Sequence, residues 1–170
     1  KNVTVFENFL KLLAGRAGQL ITLSSMSNDV GASSTTLKEW LSILEASFII
    51  FKLPPYFENF GKRTVKASKY YFTDVGLLCY LLGIEKKEQV SRDPLIGNIF
   101  ENMIVLEFLK HQYNAGRMSN LYFYRDSNGN EVDLIWGKGR DLVPIEIKSS
   151  ATFNSKFAKA IINFQSLSSK

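Results

Sequence analysis

Asp133, Glu146 and Lys148 are charged residues set among neighbours that read as strand. Asp133 sits between Val132 and Leu134, with Ile135 and Trp136 following, a β-branched and aromatic context that marks a buried strand. A carboxylate buried there without a partner costs several kcal/mol, so Asp133 is expected to have one. Side chains alternate faces along a strand, which places Glu146 and Lys148 on one face and Ile145 and Ile147 on the other. Two carboxylates and a lysine converging on adjacent strands make a site for a hard divalent cation, Mg²⁺ or Mn²⁺, which takes oxygen ligands and usually one or two protein carboxylates. Lys148 then faces substrate or water.

The elements that must position these residues follow from periodicity. Two strand-like runs bracket Asn128-Gly129, a dipeptide suited to a tight hairpin turn with positive φ at both central positions, and a third run, Leu142 to Lys148, follows the loop Gly137-Lys138-Gly139-Arg140. Pro94 opens the longest periodic helix, Leu95 to His111. Glu101 shares a face there with Gly97, Asn98, Ile104, Val105 and Phe108, so it is the carboxylate aimed inward, whereas Glu107 can turn to Lys110 and solvent. Phe157, Ala160, Ile161 and Phe164 mark a final amphipathic helix, giving the order α-β-β-β-α. Arg125 and Lys138 lie at strand ends, expected at the mouth of the site and suited to phosphate contact. Tyr122, Phe123, Tyr124 and Trp136 are of the type that stacks on bases, but strand alternation makes most of them core. His111, the single histidine, reads as a helix cap or surface residue.

The first half of the chain reads differently. Phe6, Phe9, Leu10 and Leu13 give a helix from Val5 to Ala14 closed by Gly15, and Leu23 to Val30 a second. After the turn Gly31-Ala32-Ser33, a third carries the stripe Leu37, Trp40, Leu41 and Leu44, with Ser33 or Ser34 as N-cap. Strands follow at Phe48 to Leu53, ended by Pro54-Pro55, and at Lys69 to Phe72. Three helices and a hairpin make a winged helix. Its wing, Gly61 to Lys69, carries Lys62, Arg63, Lys66 and Lys69, the densest positive cluster in the chain, and could lie along phosphates. The third helix offers Ser34, Thr35, Lys38, Glu39, Ser42 and Glu45 outward, two acids for one base and few base-reading side chains, so protein docking stays open beside nucleic-acid contact. Thr73 or Asp74 caps a short helix, Val75 to Leu82, that Gly83 terminates. The polar stretch 85–93 is the connector between a domain at 1–84 and one at 94–170.

Asp133 followed thirteen positions on by Glu146-Ile147-Lys148, with a helical Glu101 upstream, resembles the PD-(D/E)XK nuclease superfamily. The text Tyr71-Phe72-Thr73-Asp74-Val75-Gly76-Leu77, Phe100-Glu101-Asn102, Asn130-Glu131-Val132-Asp133-Leu134 and Glu146-Ile147-Lys148-Ser149-Ser150 is similar to the C-terminal domain of unknown function carried by a family of prokaryotic AAA-type ATPases, over nearly the whole chain. The resemblance implies an α+β chain, a winged helix followed by a restriction-endonuclease-like core whose last strand lies outside this sequence. It implies Asp133 and Glu146 as ligands of Mg²⁺ or Mn²⁺, Glu101 completing the shell or orienting a bound water, and Lys148 activating or positioning the nucleophile in phosphodiester hydrolysis of DNA. Gln165 reaches a phosphate in some nuclease subfamilies. Val132 stands where the superfamily has Pro, and no fourth acid flanks the site unless Glu131 turns inward. The alternative is a degenerate nuclease fold that binds DNA or a protein without cleaving, in which Asp133, Glu146 and Lys148 form a buried ion-pair cluster.

Composition narrows the classes. With 45% hydrophobic and 22% charged residues the chain is an ordinary globular one, and its net charge of +5 permits attraction to phosphates without requiring it. No apolar run approaches a membrane span, no secretory leader opens the sequence, and the lone Cys79 excludes an internal disulfide, all consistent with the cytoplasm. No G-x-x-x-x-G-K-[ST] loop occurs, so an ATP site belongs to the ATPase domain expected elsewhere in the same parent chain. The start at Lys1 and the serine-rich end suit a piece of a longer protein, and oligomeric state stays open.

Overall fold

The structure is a computed structural model that describes residues 2–56 and 67–168. Lys62, Arg63 and Lys66 of the expected wing lie outside the described residues. Helices and strands are mixed in an α+β arrangement. Three helices come first, α1 (Asn2–Gly15), α2 (Leu23–Val30) and α3 (Ser34–Ala46), followed by an antiparallel hairpin of β1 (Ile50–Leu53) and β2 (Lys69–Phe72). Gly31 closes α2 in the left-handed region at φ 74°, and the Ser33 hydroxyl accepts the Thr36 amide to cap α3. Phe9, Leu13, Met26, Leu37, Leu41, Ile50, Phe72 and Leu78 bury their side chains together, and Trp40 meets the Phe6 ring edge-on at 5.1 Å.

β1 begins two residues later than the apolar run suggests. Phe48 leaves α3 with φ 56° and stays 76% exposed, so the chain becomes extended only at Ile50; the Thr73 hydroxyl donates to the Phe48 carbonyl across this corner. Asp74 caps α4 (Val75–Leu81), its Oδ1 accepting the Leu77 amide at 2.6 Å. The polar connector is not irregular throughout. It holds a helical turn, α5 (Lys87–Val90), because Gln89 Oε1 accepts the amides of Glu85 and Lys86 at 2.8 and 2.7 Å.

α6 (Ile96–Asn114) precedes a three-stranded antiparallel sheet, β3 (Leu121–Arg125), β4 (Glu131–Lys138) and β5 (Asp141–Ile145), with β4 in the middle. The β3–β4 connection is not a two-residue turn. Only Gly129 takes positive φ, 83°, and Asp126 ties a longer loop, its carboxylate accepting from the amides of Asn128 and Asn130 and from the Asn130 side chain. β5 also stops earlier than expected, at Ile145, after Pro144, which has no amide proton for the ladder. Beyond it the Ile147 amide donates to the Asp133 carboxylate at 2.9 Å, so a side chain takes the place of a strand carbonyl. A 3-10 turn, Ser155–Ala158, leads into α7 (Lys159–Ser168), whose Phe164 is buried against Tyr124 and Tyr56.

The two halves share a wall. Alternation along β2 sends Phe72 into the helical core and Lys69 and Tyr71 into a second cluster with Leu53, Val105, Leu109, Phe123, Leu134 and Ile147. The chain after β1 pairs with β3, where Phe123 donates to the Pro54 carbonyl and accepts from the Tyr56 amide. Asn102, fully buried on α6, closes the free edge of β2: its Oδ1 accepts the Phe72 amide at 2.8 Å and its Nδ2 donates to the Phe72 carbonyl at 2.9 Å. Asn102→Ala strips both partners from that backbone unit, so urea unfolding should show a loss of about 2–4 kcal/mol with an unchanged m value.

Candidate functional site

The site forms where β2, α6, β4 and the segment after β5 meet. Two acid and lysine groups lie next to one another. In the first, the Lys69 ammonium, 2% exposed, pairs with Glu101 at 3.2 Å and Glu131 at 2.5 Å, and Tyr71 donates its hydroxyl to the same Glu101 oxygen at 2.6 Å. Glu131 reaches on to Arg125 at 2.8 Å. In the second, Lys148 spans Glu146 at 2.6 Å and Asp133 at 3.0 Å, and also donates to the Ile147 carbonyl. Glu146 Oε2 is buried with no hydrogen-bond donor among the described residues.

Glu101, Glu131, Asp133 and Glu146 outnumber Lys69, Arg125 and Lys148, which leaves one negative charge in excess. Burial raises the Glu146 carboxyl above its ordinary range, and the neighbouring Asp133 adds to this against the pull of Lys148. Burial likewise raises Glu101; Lys69 opposes that and Asp133 reinforces it. For Lys69, burial favours the neutral form, but Glu101 and Glu131 outweigh it and the ammonium is held above its usual value. Burial, reinforced by Glu101, raises the Tyr71 phenol well above its usual value, so it remains a donor. Such a cluster is suited to a cation or to sharing protons among carboxylates.

Of the residues singled out in the sequence, Asp133, Glu146 and Lys148 meet directly, and Glu101 stands on the Lys69 side of the cluster. Among the described residues no group of three or more His, Cys, Asp or Glu side chains is placed to hold a metal ion, because the lysines interleave the acids. Lys69 does not belong to a solvent-facing basic loop. It is the first residue of β2, opposite Leu53, and points under α6 with its ammonium 5.4 Å from the centre of the Phe123 ring. Arg125 and Lys138 do not share a mouth either. Arg125 lies opposite Glu131 beside the site, whereas Lys138 lies at the far end of β4, opposite Asp141 and over the Trp136 ring. His111 sits in the last turn of α6 edge-on to Trp136, about 15 Å along the helix from Glu101. Sequence reasoning missed Tyr71 and the inward role of Lys69; their spacing of two on one strand was the signal. Glu131 does turn inward and is the fourth acid.

Residues 1–88 match the model of a family described as a domain of unknown function, DUF8612, and residues 96–170 match a second such family, DUF4143. The chain belongs to the DUF8612 family. Uncharacterized proteins of Mycobacterium tuberculosis and Mycobacterium bovis are each 29% identical over 157 residues, 91% of this chain and 34% of theirs. One from Haemophilus influenzae is 24% identical over 155 residues, 86% of this chain and 34% of its own length. The chain thus spans about a third of these relatives. No solved structure matches it. The site straddles the two matched regions, since Lys69 and Tyr71 fall in the DUF8612 part and the four acids and Lys148 in the DUF4143 part.

Two outcomes test this electrostatic picture. Lys69→Met leaves Glu101 and Glu131 without their shared cation and should cost about 3–5 kcal/mol in denaturant unfolding, part of which Glu101→Gln in the same chain restores. For Glu146 the folded carboxyl binds its proton more readily than the unfolded one, so its contribution is full below about pH 4.5 and shrinks as pH rises through the folded value. Glu146→Gln removes that titration. The stability of the variant relative to the parent should therefore rise between about pH 4.5 and pH 7, and a flat difference across that window would contradict the assignment.

Proposed function

We propose that this chain is the DNA-acting end of a larger AAA-type ATPase, with a winged helix over 1–84 and a PD-(D/E)XK nuclease-like core over 94–170 that hydrolyses phosphodiester bonds. The observation that carries the reading is the pairing of Asp133 and Glu146 through Lys148 beside a buried Glu146 oxygen that has no donor among the described residues. A hard divalent cation, Mg²⁺ or Mn²⁺, would take the place that the Lys148 ammonium holds between Asp133 and Glu146: two carboxylates then supply oxygen ligands, and the excess negative charge favours a cation. Asp133 and Glu146 would hold it. When bound, such an ion supplies Lewis-acid polarisation of a phosphoryl oxygen and a water acidic enough to attack at neutral pH.

The chain's own residues do the rest. Asp133 fixes the segment after β5 by accepting the Ile147 amide, so Glu146 and Lys148 are presented together. Lys148 reaches solvent at the site and brings positive charge to a phosphate and to the charge that develops on it. Glu101, raised by burial and held by Tyr71 and Lys69, can accept or return a proton close to the acids. The element order of the second half and the resemblance noted in its sequence support the same reading. Lys62, Arg63 and Lys66 would follow the DNA backbone from the first half.

The rival reading, a non-catalytic DNA- or protein-binding module on a degenerate nuclease fold, is favoured by the lysine that already bridges each acid pair. Incubation with Mn²⁺ and single- and double-stranded DNA separates the two. Cleavage that chelation, Asp133→Asn and Glu146→Gln each abolish, and that Lys148→Met lowers at least about a hundredfold while Mn²⁺ titration heat persists, fits the nuclease. Parent protein that neither cleaves nor takes up Mn²⁺ would establish the rival.

A further inference from the structure

Beside the acid and lysine cluster a groove of about 470 Å³ opens between the segment after β5 and α7, lined by Glu146, Lys148, Thr152, Phe153, Phe157 and Ile161. Its polar wall is the site itself. Its other wall is apolar and aromatic: Phe153 is 80% exposed, and the Phe157 ring stands edge-on to it at 6.3 Å and 88°. The Ser150 hydroxyl donates to the Thr152 carbonyl and accepts the Thr152 amide, which fixes the turn that carries Phe153 outward. A large apolar ring left in water beside a charged site is ready for a planar ligand, because an exposed face gains by stacking what it has not gained by folding.

We infer that this groove takes an unpaired nucleobase, and that the substrate is therefore single-stranded DNA, or a strand end or flap whose base beside the cut is unstacked. The inference rests on the nuclease reading and specifies its substrate. A nucleotide carries a flat π face and an anionic phosphate within one residue, and the groove offers Phe153 for the first and Lys148 for the second. A base inside an intact duplex has both faces covered by its neighbours, so it can reach Phe153 only after leaving the stack. An apolar partner helix fits less well. Seating it would desolvate Lys148 and Glu146, and a groove half lined by an ion pair repels that occupant.

Binding of the 170-residue chain to labelled oligonucleotides in chelator tests this without turnover. The probes are a thymidine strand, the same backbone with abasic residues, and a blunt duplex of equal length. The parent should prefer the base-bearing strand over both others. Phe153→Ser changes an exposed residue and should keep the fold; it should lower affinity for the base-bearing strand about 5- to 100-fold, the equivalent of one stacked base, and leave the abasic strand within about twofold. Equal losses on both strands, or none, would overturn the pocket while the nuclease reading stands on cleavage. Base-dependent binding lost in Phe153→Ser, without cleavage in Mn²⁺, would keep the pocket and sink the nuclease. Absence of binding to any probe would overturn the pocket, and the nuclease reading with it only where cleavage in Mn²⁺ is absent too.

Discussion

A lysine with 2% of its surface exposed, held between Glu101 and Glu131, is the constraint on which the rest of this structure depends. Lys69 enters from the hairpin of the first half, and both its partners belong to the second. Taking an ammonium out of water is costly, and the cost is offset only where the geometry is good and the charges it meets are close. Here a third contact adds to the offset, since the ring of Phe123 faces the same ammonium. Removing Lys69 leaves Glu101 with the Tyr71 hydroxyl as its donor and Glu131 with Arg125, so each acid loses its shared cation. The halves are therefore coupled through a charged joint as well as through the apolar cluster of Leu53, Tyr71, Val105 and Leu134.

Asp133 carries the same logic into the possible chemistry. Its carboxylate accepts from both a backbone amide and an ammonium, so it is at once the clamp for the chain after β5 and a member of the charged cluster. Because Pro144 weakens the end of the β5 ladder, the segment that holds Glu146 and Lys148 is positioned by a side chain and not by a neighbouring strand. A change at Asp133 that removes its acceptor oxygens frees the Ile147 amide that lies between the other two. Loss of activity in an Asp133 variant is thus read safely only beside a measurement of structure, whereas Glu146→Gln and Lys148→Met leave the clamp in place.

Much of this was legible in the residues. Helix spacing placed Glu101 inward, Ser33 and Asp74 capped as their types suggest, and the period of two put Glu146 with Lys148 and away from Ile147. Local pattern was insufficient where a distant partner decides the outcome. Lys69 looks like one more cation of a basic loop, because nothing within ten residues of it reveals the two acids that bury it. Asn128-Gly129 promises a two-residue turn, yet the Asp126 carboxylate, with three donors available, stabilises a wider loop instead. Phe48 extends an apolar run and still lies outside the strand, because the exit from α3 uses a left-handed residue there.

Gly18 shows how tightly the joint is closed. It lies between α1 and α2, buried, with φ 72°, and its amide donates to the Tyr70 carbonyl at 3.0 Å. A Cβ there would lie 3.1 Å from Glu101 Oε1 and 3.2 Å from the Tyr71 ring, so the backbone conformation and the space both call for glycine. One α6 turn away, Asn98 donates to the Ala17 carbonyl at 3.0 Å. The loop after α1 thus presses on the same carboxylate that Lys69 and Tyr71 hold from the side. Glu101 is enclosed by three contributions from the first half of the chain, the loop, the lysine and the tyrosine, although it stands on the second. Its protonation and its position are accordingly set by how the two halves meet, and the chemistry of the site inherits that dependence.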